Sequence, residues 1–176
     1  MINREEKEKL LNQKSVVIWM TGLSGSGKTT IGKLVAASTG LPFFDADDFH
    51  PEPNKQKMKA GEALTDADRQ PWLLCLQQLA IVQSDLKGAV IACSALKENY
   101  RNILTNGVPQ PVWVFLQGSY NLIYTRMEKR SGHFMPAHLL QSQFDSLEIP
   151  ENALTISIEE KPEVISAQIK QYLQIN

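Results

Sequence analysis

From residue 14 onward, short apolar runs alternate with longer stretches of helical periodicity. The runs span residues 16–21, 41–46, 89–94, 112–116 and 154–158. Each is five or six residues long and rich in Val, Ile, Phe or Trp, and none alternates apolar with polar positions. Unbroken runs of this length are how strands read when both faces of a parallel sheet are covered. The helical patterns span 28–38, 65–85, 96–105, 119–129, 137–147 and 162–173. The first stops at Gly40, a residue suited to the left-handed helix end. The second opens with Asp66 and Asp68, where the helix dipole favours acids. The third ends near Asn106-Gly107, and the last begins at Pro162, a first-turn residue. Five strands interleaved with helices predict an α/β layered fold with right-handed crossovers.

Residues 47–64 break the rhythm. They are rich in Pro, Gly, Lys and Asp and show no periodicity. A loop-rich stretch of this size inside a compact domain usually carries function. Residues 1–14 are a charged lead-in, with every position from Arg4 to Lys9 charged. A solvated, frayed helix is expected there, with a partner-binding arm as the alternative. Nothing resembles a repeat or a linker, so residues 15–176 are expected to form a single domain.

Composition narrows the partners. The chain has 176 residues, with 18 Lys+Arg against 19 Asp+Glu, a formal net charge of −1. That balance excludes nucleic-acid binding through a broad basic field. Hydrophobic residues at 43% suffice for a core without staples. Cys75 and Cys93 both sit in apolar runs and read as small buried hydrophobes in a reducing compartment. The longest uninterrupted apolar runs are five residues, far short of the ~20 needed to span a bilayer. The first residues, MINREEKEKLL, hold no apolar secretory core. The expectation is a soluble cytoplasmic protein with no membrane partner.

The chemistry starts after the first run. Gly22-Leu23-Ser24-Gly25-Ser26-Gly27-Lys28-Thr29 fits G-x-x-x-x-G-K-[ST]. Its glycines let the backbone wrap a phosphate with N–H groups pointing inward, and the following helix aims its positive end at the anion. Lys28 is expected to reach the β/γ-phosphates, Thr29 to ligate Mg²⁺, and Thr30 to complete the ATP-binding stretch. A dinucleotide fingerprint fails, because its third glycine would fall on Thr30. The loop specifies a nucleoside triphosphate, not a reaction. Asn54-Lys55 and Asp85-x-x-Gly88 resemble GTPase signatures only by accident of spacing or position.

The second run ends in Asp45-Ala46-Asp47-Asp48-Phe49-His50-Pro51. Open α/β sheets bind ligands at the carboxyl ends of their strands, which puts Asp45 and Asp47 on the acceptor side of the loop. The period-2 geometry of a strand would point both to the same side. One could accept the proton of an attacking hydroxyl while the other holds water on Mg²⁺. Either could instead cap a turn, and Asp48 reads as a solvated or capping residue. Lys55, Lys57, Lys59 and Arg69 follow, a set that suits an anionic substrate. A single Lys is more often just solvated, whereas the Arg69 fork can meet a carboxylate with two bonds.

Four strings together resemble gluconokinases, the small P-loop sugar-acid kinase family. They are GLSGSGKT, DADDFHPEPNKQKMKAGEALTDADRQPWL, CSALKENYR and GHFMP…LLQSQFDSLEIP, and the likeness runs from about residue 16 to 150. The resemblance implies a P-loop NTPase of nucleoside-monophosphate-kinase type. Its parallel sheet would have the order 2-3-1-4-5 with helices on both faces, a substrate-binding region at about 47–72 and a small lid at about 126–148. It implies ATP- and Mg²⁺-dependent phosphorylation of D-gluconate at the 6-hydroxyl, by a homodimer. On this reading Asp47 is the acceptor-site acid, and His50, Arg69, Ser94 and Lys97 are substrate contacts. Arg126 and Arg130 match the lid signature R-x-x-x-R, whose four-residue spacing puts them on one helix face. His133 and Gln143 match the segment that closes over the substrate. Ala63 departs from the family pattern, where many relatives have Pro. Ser94 stands where many P-loop proteins end a strand in a Mg²⁺-holding Asp, which leaves Asp45 or Asp47 as the second protein partner of the metal. The alternatives are another small-acceptor kinase, of shikimate or adenylylsulfate type, or an ATP-binding regulatory module without turnover.

Overall fold

The computed structural model describes residues 15–129 and 137–173. The charged lead-in, Arg130 and His133 lie outside the described residues. Five strands form one parallel sheet: β1 (Val16–Thr21), β2 (Phe43–Asp45), β3 (Gly88–Ala92), β4 (Pro111–Gln117) and β5 (Ala153–Ser157). Their order is β2-β3-β1-β4-β5, as the family resemblance implies. Seven α-helices surround the sheet among the described residues: α1 (Lys28–Thr39), α2 (Glu52–Lys59), α3 (Asp66–Ser84), α4 (Glu98–Thr105), α5 (Tyr120–Glu128), α6 (Ala137–Asp145) and α7 (Pro162–Leu173).

Alternation along each strand builds two cores, one on each face. Ile18 and Met20 of β1 point to one side, with Ile31 and Val35 of α1, Ile123 of α5 and Ile165 and Ile169 of α7. Val17 and Trp19 point to the other, with Trp72, Leu73 and Leu76 of α3 and Leu104 of α4. The apolar runs were continuous because each strand feeds both. β3 starts against β1 so closely that only glycine fits. A Cβ at Gly88, where φ is +90°, would lie 2.1 Å from the Val16 carbonyl oxygen.

Helix ends follow local chemistry. Gly40, at φ 71°, closes α1 in the left-handed conformation. Thr65 and Asp68 cap α3 reciprocally, each side chain taking the other's backbone N–H. The periodicity overlooked α2 within the stretch read as irregular. Among residues 52–59 the single buried side chain is Asn54, so there is no apolar face to detect. Proline in its first turn, Glu52 at its start and Lys57 and Lys59 at its end favour the helix instead. β2 is shorter than its apolar run, because the chain turns at Ala46 into a 3-10 turn (Ala46–Phe49) capped by the Asp45 carboxylate. Cys93 is buried, and burial pushes its thiol up to about 12. Cys75, expected inside, is exposed instead: it follows the exposed Leu74 on the outward side of α3.

Candidate active site

The loop of residues 22–27 joins the end of β1 to the start of α1 at the carboxyl edge of the sheet. Gly22 has φ +144°, and a Cβ there would press to 2.8 Å from the Leu116 carbonyl oxygen. The turn closes through Ser26 N–H donating to the Leu23 carbonyl at 3.1 Å. Lys28 folds back over it, its Nζ 2.9 Å from the Gly22 carbonyl and 3.0 Å from that of Leu23. Ser26 is fully buried, and its Oγ has no hydrogen-bond partner among the described residues. The hydroxyl is packed beside Gly22, where an added Cβ would come to 2.9 Å from it. Thr30 is exposed in the first turn of α1.

The acidic strand end meets this loop. Thr29 Oγ1 donates to Asp45 Oδ2 at 2.8 Å, and Asp47 N–H donates to Asp45 Oδ1 at 3.2 Å. Asp47 therefore sits in the turn, not on the strand, and the period-2 argument that paired it with Asp45 does not apply. The two acids come together by capping. Asp47 is reachable by solvent but walled in by protein. That desolvation and the charge of Asp45 hold its carboxyl above the ordinary range, against the pull of Lys28. A carboxylate held up this way is a stronger base. The Thr29–Asp45 pair fits Mg²⁺, because it sets a hydroxyl and a carboxylate side by side as hard oxygen donors. Mg²⁺ is usually held by one or two protein oxygens, with phosphate and water completing its shell.

At the start of α3, Arg69, Lys97 and Tyr100 gather around Asp66. Lys97 Nζ lies 3.3 Å from the Asp66 carboxylate and Arg69 3.6 Å. The Tyr100 hydroxyl donates to the same carboxylate, and both cations sit over the Tyr100 ring, Lys97 at 5.4 Å and Arg69 at 5.7 Å from its centroid. Arg69 also donates to the Leu64 carbonyl at 2.7 Å. The Tyr100 and Lys97 bonds hold Asp66 below its ordinary pKa. Ser94 lies two residues past the end of β3, its carbonyl accepting from the Thr21 hydroxyl of β1. The following Ala95 has φ 40°, and buried Arg101 holds that turn through the Ala95 and Leu96 carbonyls at 2.9 and 3.1 Å.

His50 lies against α3 rather than in the open. Its ring stacks on Trp72 at 4.3 Å, and Trp72 Nε1 donates to the Ala46 carbonyl at 2.8 Å. Burial, then Arg69 and Lys55, lowers its pKa to about 4. Lys57, one of the cations read as suiting an anionic substrate, instead pairs with Asp68 at 2.8 Å. Gln143, expected over the substrate, clasps the phosphate loop: its Oε1 accepts from Ser24 N–H at 3.0 Å and its Nε2 donates to Ser24 Oγ at 3.2 Å. Arg126 is partly buried and donates to the Ile158 carbonyl. Sequence reasoning assigned no role to Tyr100, Arg101, Asn54 or Trp72. All four lie inside the quoted strings, so the strings located the site without saying which members touch each other.

Comparison with known proteins agrees with this geometry. Residues 24–172 match the shikimate kinase family. The chain is 41% identical to a probable gluconokinase of Mus musculus, over 90% of this chain and 97% of that one. It is 39% identical to a gluconokinase of Gluconobacter oxydans, over 96% and 97% of the two chains. A gluconokinase crystal structure from Sinorhizobium meliloti superposes with a TM-score of 0.81 at 35% identity, covering 92% of this chain and 97% of that one. With the phosphate loop, the acidic turn and the cationic cluster on one edge of a 2-3-1-4-5 sheet, the chain belongs to the gluconokinase family of P-loop kinases.

Proposed function

We propose that this chain transfers the γ-phosphoryl group of ATP to the 6-hydroxyl of D-gluconate, giving 6-phospho-D-gluconate and ADP. The observation that carries the reading is the meeting of Thr29, Asp45 and Asp47 beside Lys28, in a chain whose relatives are named gluconokinases. The amides of residues 22–29 and the α1 N-terminus cradle the β/γ-phosphates, and Lys28 exchanges its two carbonyl partners for phosphate oxygens. Asp47 accepts the 6-hydroxyl proton as that oxygen attacks phosphorus. The new O–P bond forms as the bond from the γ-phosphorus to the bridging oxygen breaks, and ADP leaves. Arg69 and Lys97 take the sugar-acid carboxylate, with His50, Ser94 and His133 around the hydroxyls. Arg126, Arg130 and Gln143 close the nucleotide side. Thr29 and Asp45 would hold Mg²⁺, which when bound neutralises phosphate charge and orients the β/γ oxygens.

Positioning and charge neutralisation supply most of the rate, because the chemistry asks little covalent work of the protein. The same reading makes the enzyme a cytoplasmic homodimer. In support, no helix among the described residues is long and apolar enough to cross a membrane. Leu74, Val82 and Leu86 leave an apolar strip exposed along and just beyond α3, and sedimentation velocity tests whether a second copy covers it.

ADP release coupled to a spectrophotometric readout tests the activity across gluconate, other sugar acids, shikimate and adenylylsulfate. Release is expected with gluconate. Release with shikimate or adenylylsulfate alone would overturn the acceptor. ATP binding without release on any acceptor would make the chain a regulatory module.

A further inference from the structure

Asn54 is the single buried residue of α2, and it is polar. Its Nδ2 lies 2.8 Å from the Asp68 carbonyl oxygen and 3.4 Å from His50 Nδ1. A carbonyl oxygen only accepts, so Asp68 decides which end of the amide faces inward. The second N–H then meets His50 Nδ1, which has to accept. A neutral imidazole that accepts at Nδ1 carries its proton on Nε2. Turning the ring over would keep its stack on Trp72, 12° from parallel, but would set Cδ2–H against Asn54 Nδ2 and leave that buried N–H without an acceptor. An imidazolium would bring a second N–H against the Asn54 amide. Burial and the nearby Arg69 and Lys55 oppose it as well.

We infer that Asn54 is a positioning residue that locks His50 in the Nε2–H tautomer, making His50 a fixed neutral hydrogen-bond donor to an oxygen of the acceptor. The identity of that acceptor rests on the sugar-acid reading above. A neutral donor suits a polyol hydroxyl, and it leaves charge recognition to Arg69 and Lys97. It also removes His50 from proton transfer, which falls to Asp47 alone.

Nitrogen-15 spectra of the histidine side chains in the ligand-free enzyme read the tautomer directly, with His50→Gln used to assign the signal. An unprotonated Nδ1 and a protonated Nε2, unchanged from about pH 5.5 to about 8, are expected. An Nδ1–H tautomer, or titration in that range, would overturn the proposal. Asn54→Asp replaces the donor by an acceptor. It is expected to put a proton on His50 Nδ1 and to raise the gluconate KM about tenfold while the ATP KM holds. Should that variant not fold, a pair at position 50 decides. Gln carries its amide nitrogen near the place of Nε2 and Asn near that of Nδ1, so His50→Gln is expected to keep a gluconate KM about tenfold lower than His50→Asn. Equal losses would sink the donor role. Absence of gluconate turnover in the unsubstituted enzyme would instead remove the acceptor assignment, while the ligand-free spectra still judge the tautomer.

Discussion

Residues 22–29 are shaped mainly by backbone, and residues 46–72 are held in place by side chains. In the phosphate loop, Gly22, Gly25 and Gly27 supply the positive φ angles, and the one long side chain, Lys28, bonds back to carbonyls five and six positions away. In the acceptor arm, Asn54 reaches Asp68 fourteen positions on, Lys57 reaches it from eleven, and Trp72 reaches Ala46 from twenty-six. Apart from the Gln143 clasp on Ser24, the loop is a local object built where one strand meets one helix. The arm exists only when two separate helices meet, so its shape depends on pairs of residues. Damage to the loop should therefore abolish turnover without moving the acceptor, and damage to the arm should loosen the acceptor without moving ATP.

The sharpest break is Lys28→Ala, which removes the cation proposed above to meet the phosphates. A loss in kcat of about 10³-fold is expected, with folding intact by circular dichroism. Normal turnover would end the loop assignment. Next is Asp47→Asn, expected to lower kcat about 10²-fold at saturating gluconate and ATP. Full kcat would remove Asp47 as the base.

Asp68→Asn addresses the arm alone. It should raise the gluconate KM several-fold and leave the ATP KM in place, and a parallel rise in both would erase the distinction between the regions. It also carries a pH signature. Bonds from Lys57 and Thr65 hold the Asp68 carboxyl down at about 2. A carboxylate so depressed contributes stability above its unfolded pKa of about 4 and loses it as pH falls toward about 2. Urea midpoints should thus fall more steeply between those values for the natural chain than for the variant. The smallest effect is expected of Thr65→Ala, which removes the α3 cap and should cost about 1 kcal/mol in urea unfolding with kcat unchanged.

The same division explains what the letters revealed. β1 and α7 stand on the residues their patterns indicated, because burial on both strand faces and a first-turn proline are local properties. The phosphate loop was legible for the same reason. The sheet order was not in the periodicity, which says that strands exist but not who neighbours whom; it came with the family likeness. α2 escaped because it buries an asparagine instead of an apolar stripe. His50 and Arg69 were named, yet the stack on Trp72 and the cluster on Asp66 were invisible, since each joins elements that only folding brings together. Lys57 illustrates the cost: its charge suggested a ligand, and its partner is Asp68.

The sheet also works as a partition. Ile31, Ile123 and Leu140, which back the phosphate loop and its clasp, belong to one core, while Trp72 and Ala46, which steady the acceptor arm, belong to the other. Substitutions among the α3 side chains of the second core would act first on the acceptor arm, with the strands between them and the packing behind the phosphate loop. A fold divided in this way can change clientele and keep its trade.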